Sequence, residues 1–349
     1  MGKTGGSSIS LVTVGVIARN EELSLPDLLR DIEAQTFPHA MIEVILVDGM
    51  STDSTKAIMD EFAKSKKNDF AATLVYRNER QIQPCGWNIV IGASRGDAII
   101  RVDAHARIPS DFVATSIATL ESGEDVCGGV RPTVMKDPTG WQSVLHMAEE
   151  SAFGSSVASC RRNADKRYVN SVFHGAYKRE VFSVAGLFDE RLRRTEDNEL
   201  HYRIRQSGYK ICLSPEIKSV QLARASLGKM LTQKWLNGYW IGKTLYIEPR
   251  CFRPYHFAPL VFVLTLLVFG IVGFLLANWM PFIVLVTLYL VADLVLSMCA
   301  IGASWPCDFR ALALPVLFPL IHVSYGMGTL IGIVAGPFWR FKAGRTGSR

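Results

Sequence analysis

Charge all but disappears from the last third of this chain. Between positions 257 and 337 the only Asp, Glu, Lys or Arg residues are Asp293, Asp308 and Arg310, whereas the residues up to about 256 carry nearly all the rest. A polar, charge-rich part is therefore followed by one that water would not tolerate. The apolar part divides into three segments, roughly 257–279, 281–301 and 311–337. At about 1.5 Å per helical residue, each is long enough to cross ~30 Å of hydrocarbon, and too long for an ordinary core helix. Pro315, Pro319 and His322 leave the third segment either spanning or re-entrant. Three crossings are the expectation, although they would put the basic tail 338–349 (Arg340, Lys342, Arg345, Arg349) on the side the positive-inside tendency disfavours. Asp293 and His322 read as polar packing within the bundle.

The start is short and polar (1–10, expected to be flexible), and the apolar run Leu11–Ala18 is far too short to span. Gly6 stands where a myristoylation signal needs Ser or Thr. Seven cysteines (85, 127, 160, 212, 251, 299, 307) show no paired or metal-type spacing, which suits a reducing compartment. The N-terminal part is accordingly expected in the cytoplasm, on a multi-pass inner-membrane protein.

From Leu11 to Val102 short apolar runs alternate with amphipathic stretches. Strands are expected at Leu11–Ala18, Val44–Val47, Thr73–Tyr76 and Ala98–Val102, with helices around 25–32, 54–62 and 87–93 between them. Ser24-x-x-Asp27, with Pro26 early in the helix, reads as a capping box. Such alternation implies an α/β, mostly parallel sheet whose ligands sit beyond the carboxyl ends of the strands. Residues 11–110 form one half of this domain. Residues 111–225, more irregular, form the other, and 226–256 is an amphipathic, aromatic and basic junction.

Three clusters follow this order. The second strand runs into VDGMSTDST (47–55), where Asp48 could accept from a base or ribose, or simply close a turn. The fourth runs into RVDAHARIP (101–109), where Asp103 and His105 project to one side of an extended backbone. A carboxylate and an imidazole there could hold a divalent cation against a diphosphate. The third, TEDNEL (195–200), opens a helix; its acids either cap that helix or supply a base.

In this order, and with FHGAYKREVF (173–182), GLFDERL (186–192) and TEDNELHYRIRQSGYKI (195–211), the sequence resembles the family 2 glycosyltransferases of the GT-A fold. Within them it looks most like the succinoglycan-synthesis ExoA type. The resemblance covers residues 16 to about 209. It implies a Rossmann-like, mostly parallel cytosolic domain ahead of the transmembrane helices. It also implies that the loop of Ala18 and Glu21, with Asp48, embraces a nucleotide, and that Gln83, Gly86 and Asn88 line the donor pocket. Asp103 and His105 would hold Mn²⁺ or Mg²⁺ and the diphosphate, and Asp197 would be the base of an inverting transfer. Glu196 and Arg203 would face the acceptor or its phosphates. Gly49 stands where many members have a second acid. His105 stands where they have an acid, which favours Mn²⁺.

In the junction, Lys229, Lys234, Lys243, Arg250 and Arg253 are interleaved with Trp235, Tyr239, Trp240 and Tyr246. An interfacial anchor is one reading. The sharper one has Lys234, Trp235 or Lys243 meeting donor or polyprenyl phosphates. Leu231-Thr232-Gln233-Lys234-Trp235 does not match the Gln-x-x-Arg-Trp motif of processive synthases, which argues for adding one sugar. The expected activity is non-processive transfer from a nucleotide-sugar, UDP-hexose by family habit, to a polyprenyl-diphosphate-linked saccharide. That would serve exopolysaccharide or cell-surface glycan synthesis, with membrane lipid as partner and room for other polysaccharide-assembly proteins. The alternatives are transfer to a polyprenyl monophosphate, or a non-catalytic nucleotide-sugar-binding scaffold. Nucleic acid is not an expected partner, because the basic residues sit with aromatics at a membrane junction.

Overall fold

The computed structural model describes residues 8–134, 139–154, 165–222, 226–304 and 308–346, with the backbone alone at 222 and 340–346. In chain order its elements begin β1 (Val12–Ala18), α1 (Leu25–Glu33), β2 (Ile42–Asp48), α2 (Thr55–Ser65), β3 (Ala72–Arg77), α3 (Gln83–Ala93) and β4 (Ala98–Asp103). Then come β5 (Ala106–Arg107), α4 (Phe112–Glu121), β6 (Val126–Val130) and β7 (Thr133–Val134). After α5 (Gly140–Glu150) follow β8 (Arg167–Val169), β9 (Ala176–Lys178), α6 (Arg179–Ala185), α7 (Glu196–Gln206), β10 (Ile211–Lys218) and β11 (Val220–Leu222). Four helices close the chain: α8 (Leu227–Thr244), α9 (Ala258–Leu275), α10 (Met280–Ala303) and α11 (Leu314–Thr346).

The chain divides into two compact units: Met1–Val134 with Ala158–Ala223, and Met135–Val157 with Arg224–Arg349. In the first, eight strands lie in the order β3-β2-β1-β4-β9-β6-β10-β8, and β5-β11-β7 form a small second sheet. Strands β3, β2, β1 and β4 are mutually parallel, and β9 is antiparallel to both its neighbours. The expected mostly parallel sheet is thus present, with β1 between β2 and β4. β2 is buried along its whole length, as a strand covered on both faces must be. Ser24 departs from its expected role. Its backbone is already helical and its hydroxyl bonds to Glu21 rather than capping α1.

The second unit is helical. Among the described residues three helices are long and apolar enough to cross a membrane, spanning Pro254–Leu275, Met280–Ala303 and Phe309–Trp339. Most of α9 and α10 exposes Leu, Val, Ile and Phe, the surface lipid would cover. α11 passes through Pro319 as one continuous helix, so the third apolar segment does not fold back on itself. α5, expected in the soluble half, belongs here instead. It buries Val144, Leu145 and Ala148 among Met230, Leu314, Leu317, Phe318 and Ile321. Its segment is tied in by Lys234–Glu149 (3.1 Å) and by His322 Nε2, which donates to the Phe153 carbonyl (2.7 Å).

α8 and α11 run in the same direction, side by side. A Cβ on Gly328 would strike the Trp235 carbonyl, one on Gly332 the Tyr239 carbonyl, and one on Gly336 the Tyr246 ring. Small residues let the two backbones touch, as they do between membrane helices. The basic aromatic junction and the C-terminal half of the third apolar segment therefore form one packed layer, rather than an interfacial helix separate from a span.

Candidate active site

The register of the central strands sets the geometry. Ala18 pairs with Asp48 across β1 and β2, and Ile17 pairs with Asp103 across β1 and β4, so three strand ends deliver Ala18, Asp48 and Asp103 to one edge. A cleft of about 240 Å³ opens there, lined among others by Ala18, Arg19, Glu21, Gly49, Asn78, Gln83, Asp103 and His105. Its position outside the carboxyl ends of parallel strands is the one such sheets use for ligands. Backbone strain concentrates around it. Asn20, Met50, Gln81, His174 and Thr195, all in loops of this unit, have φ between 45° and 67°, which residues other than glycine seldom adopt.

Two loops are laced together beside the cleft. Asn20 N–H donates to Ser51 Oγ (3.0 Å), Thr52 N–H to Asn20 Oδ1 (2.8 Å), Glu21 N–H to Thr55 Oγ1 (2.8 Å) and Ser54 N–H to Glu22 Oε2 (3.0 Å). The Ser/Thr run after β2 thus mainly fastens the loop after β1. Asp48 accepts the Ser51 N–H (3.1 Å), closing the turn that was the plainer reading of this motif. Gly49 keeps the crossing of the loops uncrowded. A Cβ there would lie 3.1 Å from Arg19 Cβ and 3.3 Å from the Ala18 carbonyl.

Gln83 reaches the cleft, but Gly86 and Asn88 do not line it. Gly86 lets α3 press against β1, since a Cβ would meet Ile17 Cγ2 at 3.1 Å. Asn88 accepts the Phe188 N–H (2.9 Å) and donates to the Phe188 carbonyl (2.9 Å) and to Glu190 (3.1 Å), pinning the segment ahead of α7.

At the far end of the cleft Asp103 Oδ2 lies 3.3 Å from Nε2 of buried His174, whose Nδ1 meets Ser219 Oγ at 2.8 Å. The His174 Nε2 contact is a close approach rather than an aligned hydrogen bond. Burial works against the Asp103 charge, but His174, with the charges of His105 and Arg131, holds its pKa well below the usual carboxylate range. His105 is gripped from two sides, with Nδ1 3.5 Å from Glu21 and Nε2 accepting from the Gln221 amide at 2.7 Å. Glu21 raises its pKa despite partial burial. Arg131 also bonds to Gln221 and lies over the Phe173 ring at 3.8 Å. None of His174, Ser219, Gln221 and Arg131 was singled out in the sequence; they lie 28 to 118 positions from Asp103.

α7 brings Glu196 and Asp197. Asp197 Oδ1 accepts from Arg101 at 2.6 Å. The Arg101 guanidinium is stacked 4.4 Å from Trp87 and 4.7 Å from Phe188. Glu196 is buried, and burial with the adjacent Asp197 charge pushes its pKa up to about 8. Arg203 is committed elsewhere. It bonds to Glu199 at 2.6 and 2.8 Å and to the Ala185 and Leu187 carbonyls, so its donors brace the loop after α6. Lys234 and Trp235 belong to the helical unit, where Lys234 is paired with Glu149.

Among the described residues no group of three or more His, Cys, Asp or Glu side chains is arranged around a metal position. Asp103 nevertheless fits a divalent cation, because Mg²⁺ and Mn²⁺ beside phosphates commonly take only one or two protein ligands, and His105 could join it once Nε2 gives up the Gln221 amide. The buried, unbonded Nε2 of His174 marks the Asp103 surroundings as built to hold a charge in place.

Comparison with known proteins agrees with this geometry. The model of Glycosyl transferase family 2 matches residues 13–184. A dolichyl N-acetyl-α-D-glucosaminyl phosphate 3-β-D-2,3-diacetamido-2,3-dideoxy-β-D-glucuronosyltransferase of Methanococcus voltae is 25% identical over 332 residues, 94% of this chain and 98% of its own. The succinoglycan biosynthesis protein ExoA of Rhizobium meliloti (strain 1021) is 26% identical over 240 residues, 68% of this chain and 69% of its own. Among solved structures, the mannosyltransferase PcManGT from Pyrobaculum calidifontis, in complex with GDP-Man and Mn²⁺, superposes with a TM-score of 0.56 at 18% identity. That match covers 93% of this chain and 88% of the other, and shows the shared fold. Residues 13–184 are thus a glycosyl transferase family 2 domain of GT-A fold, and the chain that carries it is a glycosyltransferase.

Proposed function

We propose that the chain is an inverting, non-processive transferase that moves one sugar from a nucleotide-sugar to a polyprenyl-diphosphate-linked saccharide at the cytoplasmic face of the inner membrane. The observation that carries this reading is the cleft beyond β1 and β4, with Asp103 and His105 at its end and Asp197 joined to the same strand through Arg101. Two relatives add support. The Methanococcus voltae protein is named for a dolichyl-phosphate-linked sugar acceptor, and it matches this chain almost end to end. ExoA is named for succinoglycan biosynthesis.

In this reading Ala18, Glu21, Asp48 and Gln83 bound the nucleotide side, with Gly86 and Asn88 shaping the pocket from behind. Asp103 and His105 would hold a divalent cation, which when bound supplies positive charge to the departing diphosphate. Asp197 accepts the proton of the acceptor hydroxyl as its oxygen attacks the anomeric carbon opposite the leaving group, so the carbon inverts. Arg101 orients that carboxylate, and Glu196 lines its acceptor side.

The test is a donor screen on the full chain in detergent, with UDP-, GDP- and dTDP-sugars, Mn²⁺ or Mg²⁺, and either a lipid-linked saccharide or a polyprenyl monophosphate. A single sugar added to the saccharide is expected, most readily with a UDP-hexose and Mn²⁺. Transfer to the monophosphate alone would replace the acceptor in this reading. Asp197→Asn should lower kcat by about 100- to 1000-fold or more, and normal turnover in it would leave the scaffold reading. Full activity of His105→Ala with Mg²⁺ would remove His105 from the metal.

A further inference from the structure

In the helical unit one buried cation meets no carboxylate among the described residues. Lys234 and Lys243 lie on the same helix, nine residues apart, and are 4% and 7% exposed. Lys234 is paired with Glu149 at 3.1 Å. Among the described residues the Lys243 ammonium group has no carboxylate and no hydrogen-bond partner. Three aromatic faces surround it instead, with Nζ 4.4 Å from the Tyr239 ring, 4.8 Å from Trp240 and 5.2 Å from Trp339. Trp240 and Trp339 meet edge to face at 5.7 Å, so the cage is closed across α8 and α11.

Ring faces compensate part of an ammonium's lost hydration, and they leave its charge intact. A cation held this way still attracts an anion. The level of the cage identifies the anion's chemistry. Trp339 is the last residue of the apolar stretch Phe309–Trp339, and Trp and Tyr at the ends of such stretches sit among lipid headgroups. Anions at that level are phosphate esters.

We propose that Lys243, with Tyr239, Trp240 and Trp339, is a seat for the phosphate group of a membrane lipid. The phosphate belongs either to a polyprenyl carrier or to a bulk anionic phospholipid. The seat replaces Lys234 as the phosphate contact of α8, since Lys234 is already engaged by Glu149. It stands apart from the sugar chemistry proposed above, and its test needs no donor.

The test titrates the detergent-solubilised full chain with farnesyl phosphate, short-chain phosphatidylglycerol, short-chain phosphatidylcholine and inorganic phosphate, following tryptophan emission. Saturable binding of farnesyl phosphate or phosphatidylglycerol, tighter than that of the other two, is expected. Lys243→Met should weaken it about five- to tenfold, while Lys243→Arg and the exposed-site control Lys229→Met retain it. Trp339→Leu, which opens the cage and keeps the charge, should weaken it as well, so a folding defect in one variant does not decide the result. Preference for farnesyl phosphate identifies a carrier seat, and preference for phosphatidylglycerol a bulk-lipid seat. Unchanged binding in Lys243→Met, equal loss in Lys229→Met, or inorganic phosphate binding as well as the lipids would overturn the proposal.

Discussion

Arg101 and Lys243 are both buried cations held against more than one aromatic ring, and they end differently. Arg101, in the catalytic domain, is stacked between Trp87 and Phe188 and closes on the Asp197 carboxylate at 2.6 Å. Lys243, in the helical unit, has three rings around it and, among the described residues, no carboxylate. The rings do the same thing in both places, which is to fix the position of a charge out of water. What differs is whether the counter-charge is part of the chain. Arg101 spends its charge internally and so sets the position of Asp197; Lys243 keeps its charge for something outside the protein.

The contrast breaks first at Arg101. With Arg101→Met the side chain still fills the space between the rings, but Asp197, 24% exposed at its side chain, loses its partner. Removing one member of a buried pair costs about 3–5 kcal/mol, which for a unit of this size lowers Tm by about 10 °C. Turnover should fall with it, because the carboxylate is no longer aimed. Arg101→Lys should recover little, since an ammonium reproduces neither the planar stack nor the fork. Thermal unfolding and kcat on the two variants check this. A lysine variant with parental kcat and Tm would mean that Arg101 supplies only charge.

That Arg101 matters so much was not legible in its sequence neighbourhood. It sits two residues before Asp103, inside a motif whose acid draws all the notice, and its partner lies 96 positions on. The strand ends were legible, because β2 and β4 are largely apolar runs that stop at an acid, and Asp48 and Asp103 follow from that alone, whereas Ala18 came only with the family resemblance. The partners of those residues were not. His174, Ser219 and Gln221 come from the irregular half, where short strands and turns carry no period to read. The family resemblance implied Gly86 and Asn88 in the pocket with Gln83, yet only the first turn of their helix reaches it. α5 shows the same limit at the level of a whole element. An amphipathic helix announces that it has a buried face, and says nothing about which core receives it. Lys234 and Lys243 were indistinguishable for a similar reason: spacing along α8 cannot reveal that Glu149 arrives from another helix to claim one of them.

A smaller effect sharpens the contrast from the catalytic side, where buried polar groups make stability depend on pH. His201 is fully buried between Tyr177 OH (2.7 Å) and Ser171 Oγ (2.8 Å). Burial, assisted by Arg101 and Arg205 and opposed by Asp197, pushes its pKa down to about 4. The folded form therefore refuses a proton that the unfolded chain accepts near its ordinary value of 6.5. Its contribution is complete above about pH 6.5 and is lost as pH falls from there towards 4, with an upper limit of about 3 kcal/mol. In His201→Gln the Tm of the catalytic unit should be lower at pH 7.5 and should fall less between pH 6.5 and 4.5 than in the parent. Equal slopes in the two proteins would assign the acid sensitivity to another group.

The smallest expected effect comes from the helical unit, where fit rather than polarity holds the elements together. A Cβ on Gly242 of α8 would lie 2.5 Å from the Thr329 carbonyl and 2.6 Å from the Ile333 nitrogen of α11. Those are backbone atoms and cannot rotate aside, so Gly242→Ala must push the two helices apart. Overpacking of this kind costs about 1–3 kcal/mol. Gly270→Ala on α9 is the control, since its Cβ would meet only Phe282 Cε2 at 3.9 Å. A Tm drop in the first variant and none in the second is expected in detergent. The separation should also draw Trp339 away from Lys243, because α11 carries the one and α8 the other. Lipid-phosphate binding should then weaken in Gly242→Ala although no charge has been touched, while kcat at saturating donor follows the Arg101–Asp197 pair and stays near the parental value. If binding survives the separation, the cage is not what holds Lys243 ready, and the likeness between the two stacked cations is one of appearance only.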